Sequence, residues 1–530
     1  MPDLRARRRR SDAAHLTPKR GWRRLGGGPD ADRTVHRVPI LLALVALLAV
    51  GGLIDRASGG PGTPDRPGAA TAGAVSVVAP GNALSSSWFC GGATDQAKSG
   101  APGELEVTNV STGPVAGTAT IVASNGARRV VALKVPAEGH ATVRERVPGG
   151  AGWVGAMVNL EGGLVSVDQE VVGRLGASST PCATSGSRAW YFTSGATLVN
   201  AGVELSLLNP YPTDAIVDLT FTTNEGVEQP GDFQGLVVPA RGMLAVNLGS
   251  HLRRRQRIAT TVTARAGRVV AWKTDVVTPP AKGQATIGSP QGADAPDPAA
   301  PVGGVAVTLG APSAGTLWTW PEGDTGNGFN EQYTIYNPTA TTADVELTIG
   351  LDLGSAQPVD LTVAPESVAT VTSNEQARIP AGVGHFAQVR STNGVPVVAE
   401  RTLAVSAPSA ISGLGELPGL RTSAPAWLLG ADTAPGSSRG YLVVDNPGRT
   451  PVRISVTAVR HGRTTALPRL RPFTIPTGRR ASILLNRSVA PQTALVVTGS
   501  APIIVERDLY GTRTAREVSL SPGVPFSVSS

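Results

Sequence analysis

Trp427-Leu428-Leu429, then Asn446-Pro447, then Ile475-Pro476, then Ile503-Ile504-Val505-Glu506-Arg507: this order of residues recurs four times along the 530-residue chain and sets its architecture. The other three openings are Ser87-Trp88-Phe89, Ala189-Trp190-Tyr191 and Leu317-Trp318-Thr319. Their Asn steps, Asn109-Val110, Asn209-Pro210 and Asn337-Pro338, follow the Trp by 21, 19 and 19 residues, against 19 in the fourth copy. Pro136, Pro239, Pro365 and Pro476 then follow the Asn by 27, 30, 28 and 30 residues. The closing pairs are Asp168-Gln169, Trp272-Lys273, Glu400-Arg401 and Glu506-Arg507. Agreement of this kind marks an internal repeat of roughly 100–130 residues, the size of a whole domain.

Within a copy the apolar residues alternate. Val203, Leu205 and Leu207 precede Asn209; Val217, Leu219 and Phe221 follow it; Val452, Ile454, Val456 and Ala458 do the same in the fourth copy. A period of two puts apolar side chains on one face of a half-buried strand. Many short strands broken by Gly, Pro, Asn and Asp predict a β-sandwich or barrel. Asn before Pro is pushed out of the helical region and Pro removes a ladder donor, so each Asn-Pro step ends a strand.

The expected fold is therefore all-β, four tandem Ig-like β-sandwich domains after a single N-terminal transmembrane helix. The expected boundaries are a basic cytoplasmic leader at 1–37, a transmembrane helix or signal anchor at 38–54 and a flexible linker at 55–83. The repeats follow at 84–182, 183–288, 303–407 and 424–530, with linkers at 289–302 and 408–423.

Charged residues make up only 16% of the chain, and arginine outnumbers lysine 42 to 5. The net charge of +8 hides a segregation. Residues 1–38 carry +7, residues 418–530 carry +9, and the middle carries −8. The leader, with Arg7-Arg8-Arg9-Arg10, Lys19-Arg20 and Arg23-Arg24, runs into 17 apolar residues from Val38 to Ile54. That is roughly 25 Å of helix, enough to enter or span a hydrocarbon core. Positive charge on the near side keeps that side cytoplasmic and sends the rest of the chain out. The expected location is the cell membrane, single-pass, with the bulk of the chain extracytoplasmic; secretion after signal cleavage is the alternative.

The two cysteines, Cys90 and Cys182, bracket the first repeat. In an exported chain they read as a structural disulfide. Closing a loop of that length stabilises by about 4–5 kcal/mol on the chain-entropy account.

Arg460, Arg463, Arg469, Arg471, Arg479 and Arg480 fall within 21 residues of the fourth repeat. Such a field attracts anions, and these residues are the candidate site for an anionic envelope glycopolymer. Nucleic acid does not fit, because no stacking aromatics are interleaved and the expected compartment is wrong. The six histidines include no ligand-spaced pair, so no metal or cofactor is expected. No nucleophile-elbow, phosphate-loop or dinucleotide motif stands in its proper context. Glu400 and Glu506 recur at one place in two copies, each beside an arginine, and read as structural ion pairs. The opening tryptophans read as core plugs.

The basic leader, the apolar run, Ser87-Trp88-Phe89-Cys90-Gly91-Gly92 and the Val/Ile-Glu-Arg endings resemble an actinobacterial family of uncharacterised, membrane-anchored exported proteins, a domain of unknown function. Trp272-Lys273 departs from the Glu-Arg ending. The resemblance implies the same topology and no catalytic residues. The expected function is a non-enzymatic envelope scaffold or binding protein with an envelope protein or polymer as partner. The alternatives are an accessory subunit that holds anionic polymer through the fourth repeat, and a cryptic hydrolase.

Overall fold

A computed structural model describes residues 74–95, 101–150, 152–278, 303–431, 439–467, 470–485, 488–511 and 516–526. The leader, the apolar run 38–54, the linker 289–302 and Arg469 lie outside the described residues. Regular structure among the described residues is strand, interrupted by three single-turn 3-10 helices, so the all-β expectation holds. No helix among the described residues is long and apolar enough to cross a membrane.

The first repeat shows the plan. Its opening strand Ser86–Thr94 joins a four-stranded antiparallel sheet, and its Asn-bearing strand Gly103–Asn109 joins a second one. The two sheets bury a common core that includes Trp88, Leu105, Val107, Ile121, Val158 and Val167. The later repeats use the same strand order. In the fourth, one 17-residue strand, Ala494–Tyr510, serves both sheets, so they register as one nine-stranded assembly.

The spacing of the repeat motif follows from side-chain bonds. Asn446 donates through Nδ2 to Thr450 O, Ile475 O and Pro476 O at 2.9–3.1 Å, and its Oδ1 accepts from Gly448 N at 3.0 Å. Asn337 makes the same set with Thr341, Val363, Ala364 and Thr339. Asn209 and Asn109 repeat it at Val238 and Pro136. Each Asn thus shapes its own turn and clamps the apolar-Pro step, which fixes the interval between them. The opening tryptophans are buried, as expected of core plugs. Trp190, Trp318 and Trp427 also donate Nε1 to Val269 O, Val397 O and Ile503 O, just ahead of each closing pair.

Each closing strand carries a short inner strand along its free edge: Gly176–Pro181, Gly304–Leu309, Gly413–Pro418 and Val518–Pro522. These four pack against one another in a closed cycle, first on second, second on third, third on fourth and fourth on first. The fourth-to-first step includes a parallel bridge between Ala177 and Glu517 and a bond from Ser179 N to Ser519 Oγ at 2.8 Å. Such close packing needs small residues on the axis. At Gly304 an added Cβ would lie 2.6 Å from Leu414.

This geometry moves two boundaries. Gly304–Leu309, inside the range expected for the third repeat, pairs with Val270–Val277 of the second. Gly413–Pro418, inside the expected linker 408–423, is the inner strand of the third. Short Gly-containing strands buried on both sides lack the alternation that betrays a half-buried strand, so they read as linkers. The described residues, 74 to 526, fall within one compact unit rather than four separate ones.

The expected linker 55–83 also ends in ordered structure. Val75 O accepts from Thr184 N at 3.0 Å, and Ser76 Oγ donates to Cys182 O at 2.8 Å. Val78 N donates to Pro525 O at 3.1 Å. Residues 75–78 are a strap that joins the ends of the first and fourth repeats.

Candidate functional site: the charged seams between repeats

Neighbouring residues in a strand point to opposite faces, so a closing Glu-Arg doublet cannot pair with itself. Lys273 and Arg401 reach the acid position of the next repeat instead. Lys273 of the second repeat lies 3.2 Å from Glu400 of the third. Arg401 of the third lies 2.6 Å from Glu506 of the fourth. The structural ion pairs expected at Glu400 and Glu506 are thus formed, each with the cation of the preceding repeat rather than with the adjacent arginine. Arg507 Nη1 donates to Gly430 O at 2.7 Å, and Gly430 abuts the Asp168 carboxylate of the first repeat. At the one remaining seam both positions are uncharged: Gln169 and Trp272. There Trp272 packs on Gly91, where an added Cβ would lie 2.5 Å from the indole, and Thr274 Oγ1 donates to Gly92 O at 2.7 Å. The departure of Trp272-Lys273 from the Glu-Arg pattern is thus matched by the neutral Gln169.

The second-to-third seam gathers three carboxylates around one cation. Lys273 Nζ lies 3.0 Å from Asp275, 3.2 Å from Glu400 and 2.8 Å from Glu416, and donates to Ser194 Oγ at 2.6 Å. Burial opposes the ammonium charge, but the three carboxylates outweigh it and hold Lys273 well above its ordinary value. Burial, with mutual repulsion, pushes Glu416 well up and Asp275 up. Glu416 also forms part of the wall of an axial cavity of about 120 Å³, lined further by Thr180, Thr308, Trp318, Arg421 and Pro522.

The third-to-fourth seam is larger. Arg401 also lies 3.5 Å from Asp508 and donates to Glu322 O. Arg480 lies 2.7 Å from both Glu322 and Asp352. Burial raises Glu322 to about 7 despite Arg480. Behind these, His385 Nε2 lies 2.8 Å from Glu331, which accepts from Ser373 Oγ at 2.8 Å. Burial works against both charges there, but the pair holds Glu331 below and His385 above its ordinary value. Sequence reasoning passed over Glu331 and His385, because 54 residues separate them and neither belongs to the repeat motif.

The fourth-repeat arginines do not act together. Arg480 is committed to Glu322 and Asp352, and Arg479 donates to Leu351 O and Gly354 O at 3.0 and 2.9 Å. Both therefore serve the seam with the third repeat. Arg460 and Arg463 face each other across a hairpin at the opposite seam, and Arg471 is exposed. Cys90 and Cys182 form the expected disulfide, tying the opening strand to the end of the first inner strand.

No curated protein matches the chain. Among solved structures, a Thermotoga maritima protein is 18% identical with a TM-score of 0.19, covering 20% of this chain and 95% of its own. A Streptomyces avermitilis α-L-rhamnosidase solved with L-rhamnose is 9% identical with a TM-score of 0.11; the match covers 74% of this chain and 53% of the enzyme. A tetra-tandem repeat from the extending region of a large adhesion protein is 13% identical with a TM-score of 0.10, covering 84% and 100%. Scores this low carry no argument about fold or activity. Residues 164–410 match the model of a family of unknown function (DUF5719), a stretch that begins at the closing strand of the first repeat and stops just short of the third inner strand.

Proposed function

We propose that the chain is a non-enzymatic scaffold of the cell envelope, held by a single N-terminal transmembrane helix, whose four Ig-like β-sandwich repeats close on themselves outside the membrane. One observation carries this reading. The repeated acidic and basic doublets, the groups a hydrolase would need as acid and base, are spent as buried links between repeats. A body closed in this way presents a fixed surface rather than a string of independent modules. The disulfide fits an oxidising compartment, and the basic leader before the apolar run fits an outward topology.

Protease protection tests it. With a tag before residue 38 and a second after residue 530, external protease on intact cells is expected to remove the C-terminal tag and spare the N-terminal one. Protection of both tags in intact cells, with the chain in the soluble fraction after lysis, would sink the reading.

A further inference from the structure

The described acids of the fourth repeat, Asp445, Glu506, Asp508 and Glu517, are all buried. The exposed charged side chains of that repeat, among the described residues, are all arginine: Arg439, Arg449, Arg453, Arg463, Arg471 and Arg516. The described outer surface of this repeat therefore carries one sign of charge, and its acids are buried, Glu506 and Asp508 against Arg401 of the third repeat.

The field is strongest at one hairpin. Arg460 and Arg463 stand directly opposite each other in the register of strands Val452–Arg460 and Arg463–Ala466. Like charges in that position destabilise a hairpin unless something neutralises them. Among the described residues neither arginine has an ion-pair partner. The hairpin tip rests on the first repeat, where Gly462 N donates to Glu138 O at 2.9 Å. The Glu138 carboxylate is engaged by Thr464 Oγ1 at 2.6 Å. His140, behind it, is held below its ordinary value by burial and by His461 and Arg460.

We propose that this face, centred on the Arg460–Arg463 pair at the seam of the first and fourth repeats, binds the repeated anionic groups of an extracytoplasmic polymer. Arg449, Arg453, Arg463 and Arg471 are all exposed along this stretch, so a chain of anions satisfies several of them where one ion would not. The proposal rests on the envelope reading above and deepens it by naming a partner class and a site. It excludes Arg479 and Arg480, which face the other way.

The test uses the full chain in detergent, titrated with inorganic polyphosphate and, separately, with polygalacturonate across a salt series. The variants are R460E/R463E and, as a charge-matched control on the first repeat, R128E/R129E. We expect R460E/R463E to weaken binding by about tenfold or more near physiological salt and to flatten its salt dependence, with R128E/R129E changing it less than about threefold. The single substitution Arg463→Gln, at an exposed side chain, should lose about threefold. Equal weakening in both double variants, or none in R460E/R463E or R463Q, overturns the proposal. So does binding to anionic vesicles that is as tight as to polymer and is lost in the same variant, which would assign the face to a membrane. Preference for phosphate over uronate, or the reverse, distinguishes the two polymer chemistries. Failure of the protease assay would remove the envelope reading without touching the binding result, so the two are separable.

Discussion

Arg401 and Glu506 come from the closing strands of successive repeats and meet 2.6 Å apart with neither side chain exposed to solvent. The pair is the clearest instance of a rule in which the cation of one repeat answers the acid of the next. Removing one partner of a buried pair leaves the other uncompensated, which costs about 3–5 kcal/mol. R401M is therefore expected to lower stability by that order in denaturant unfolding. R401M/E506L should cost less than R401M alone, because it removes the stranded charge. A double variant as damaged as the sum of its singles would contradict the link.

Stability should fall as the solution is made more alkaline. Burial holds Glu145 and Asp445 at about 7, well above ordinary carboxyl values. A folded value above the unfolded one means that the folded state binds the extra proton. The associated stability is complete below the ordinary values, 4.5 for Glu145 and 3.8 for Asp445, and is lost as pH rises through 7. His385, raised by Glu331 against the opposing effect of burial, acts in the same direction. Glu331 is lowered, so its contribution fails only below its own range, outside this window. Thermal unfolding should show a higher midpoint at pH 5 than at pH 8, and E145Q should flatten that slope.

Asn446→Ala should remove the clamp on Ile475 and Pro476 and cost roughly 2–4 kcal/mol, as several buried carbonyls lose their donor. The equivalent change at Asn209 should be similar in size. The check is the unfolding midpoint of each variant. A loss below about 0.5 kcal/mol, the range of an ordinary surface change, would mean that the motif spacing has another cause.

The strap makes a local prediction. Val78→Pro removes the donor to Pro525 O. Hydrogen exchange should speed up at Phe526 and Thr184, on the two sides of the strap, with the Asn-bearing strands unchanged. Unchanged exchange at both would show that the strap does not hold the seam.

Much of the fold was legible because its signals are local. Trp, Asn and the Pro step lie within one repeat and are tied by direct side-chain bonds, so their spacing is a structural constraint written in sequence. The cysteine pair was legible because it brackets a single repeat. The closed cycle was not. Its contacts join residues more than 100 positions apart, such as Arg401 and Glu506. The inner strands that form it are short, buried on both sides and Gly-containing, and so resemble linkers. One clue was present. Gln169 and Trp272 both depart from the charged pattern, at the cation position of the first repeat and the acid position of the second. The arginine cluster was legible as charge but not as direction, because contacts with Glu322, Asp352, Leu351 and Gly354 of the third repeat take up Arg480 and Arg479.

The central claim is that the fourth repeat closes on the first. Glu138→Cys with Thr464→Cys tests it most directly, because the native cysteines are both in the disulfide and these two side chains touch at 2.6 Å. Treating the folded protein with a short bismaleimide should give an intramolecular cross-link, seen as a mobility shift on a denaturing gel and absent when the protein is first unfolded. No cross-link in the folded protein, with both cysteines accessible to a single maleimide, would mean that the repeats hang as an open string.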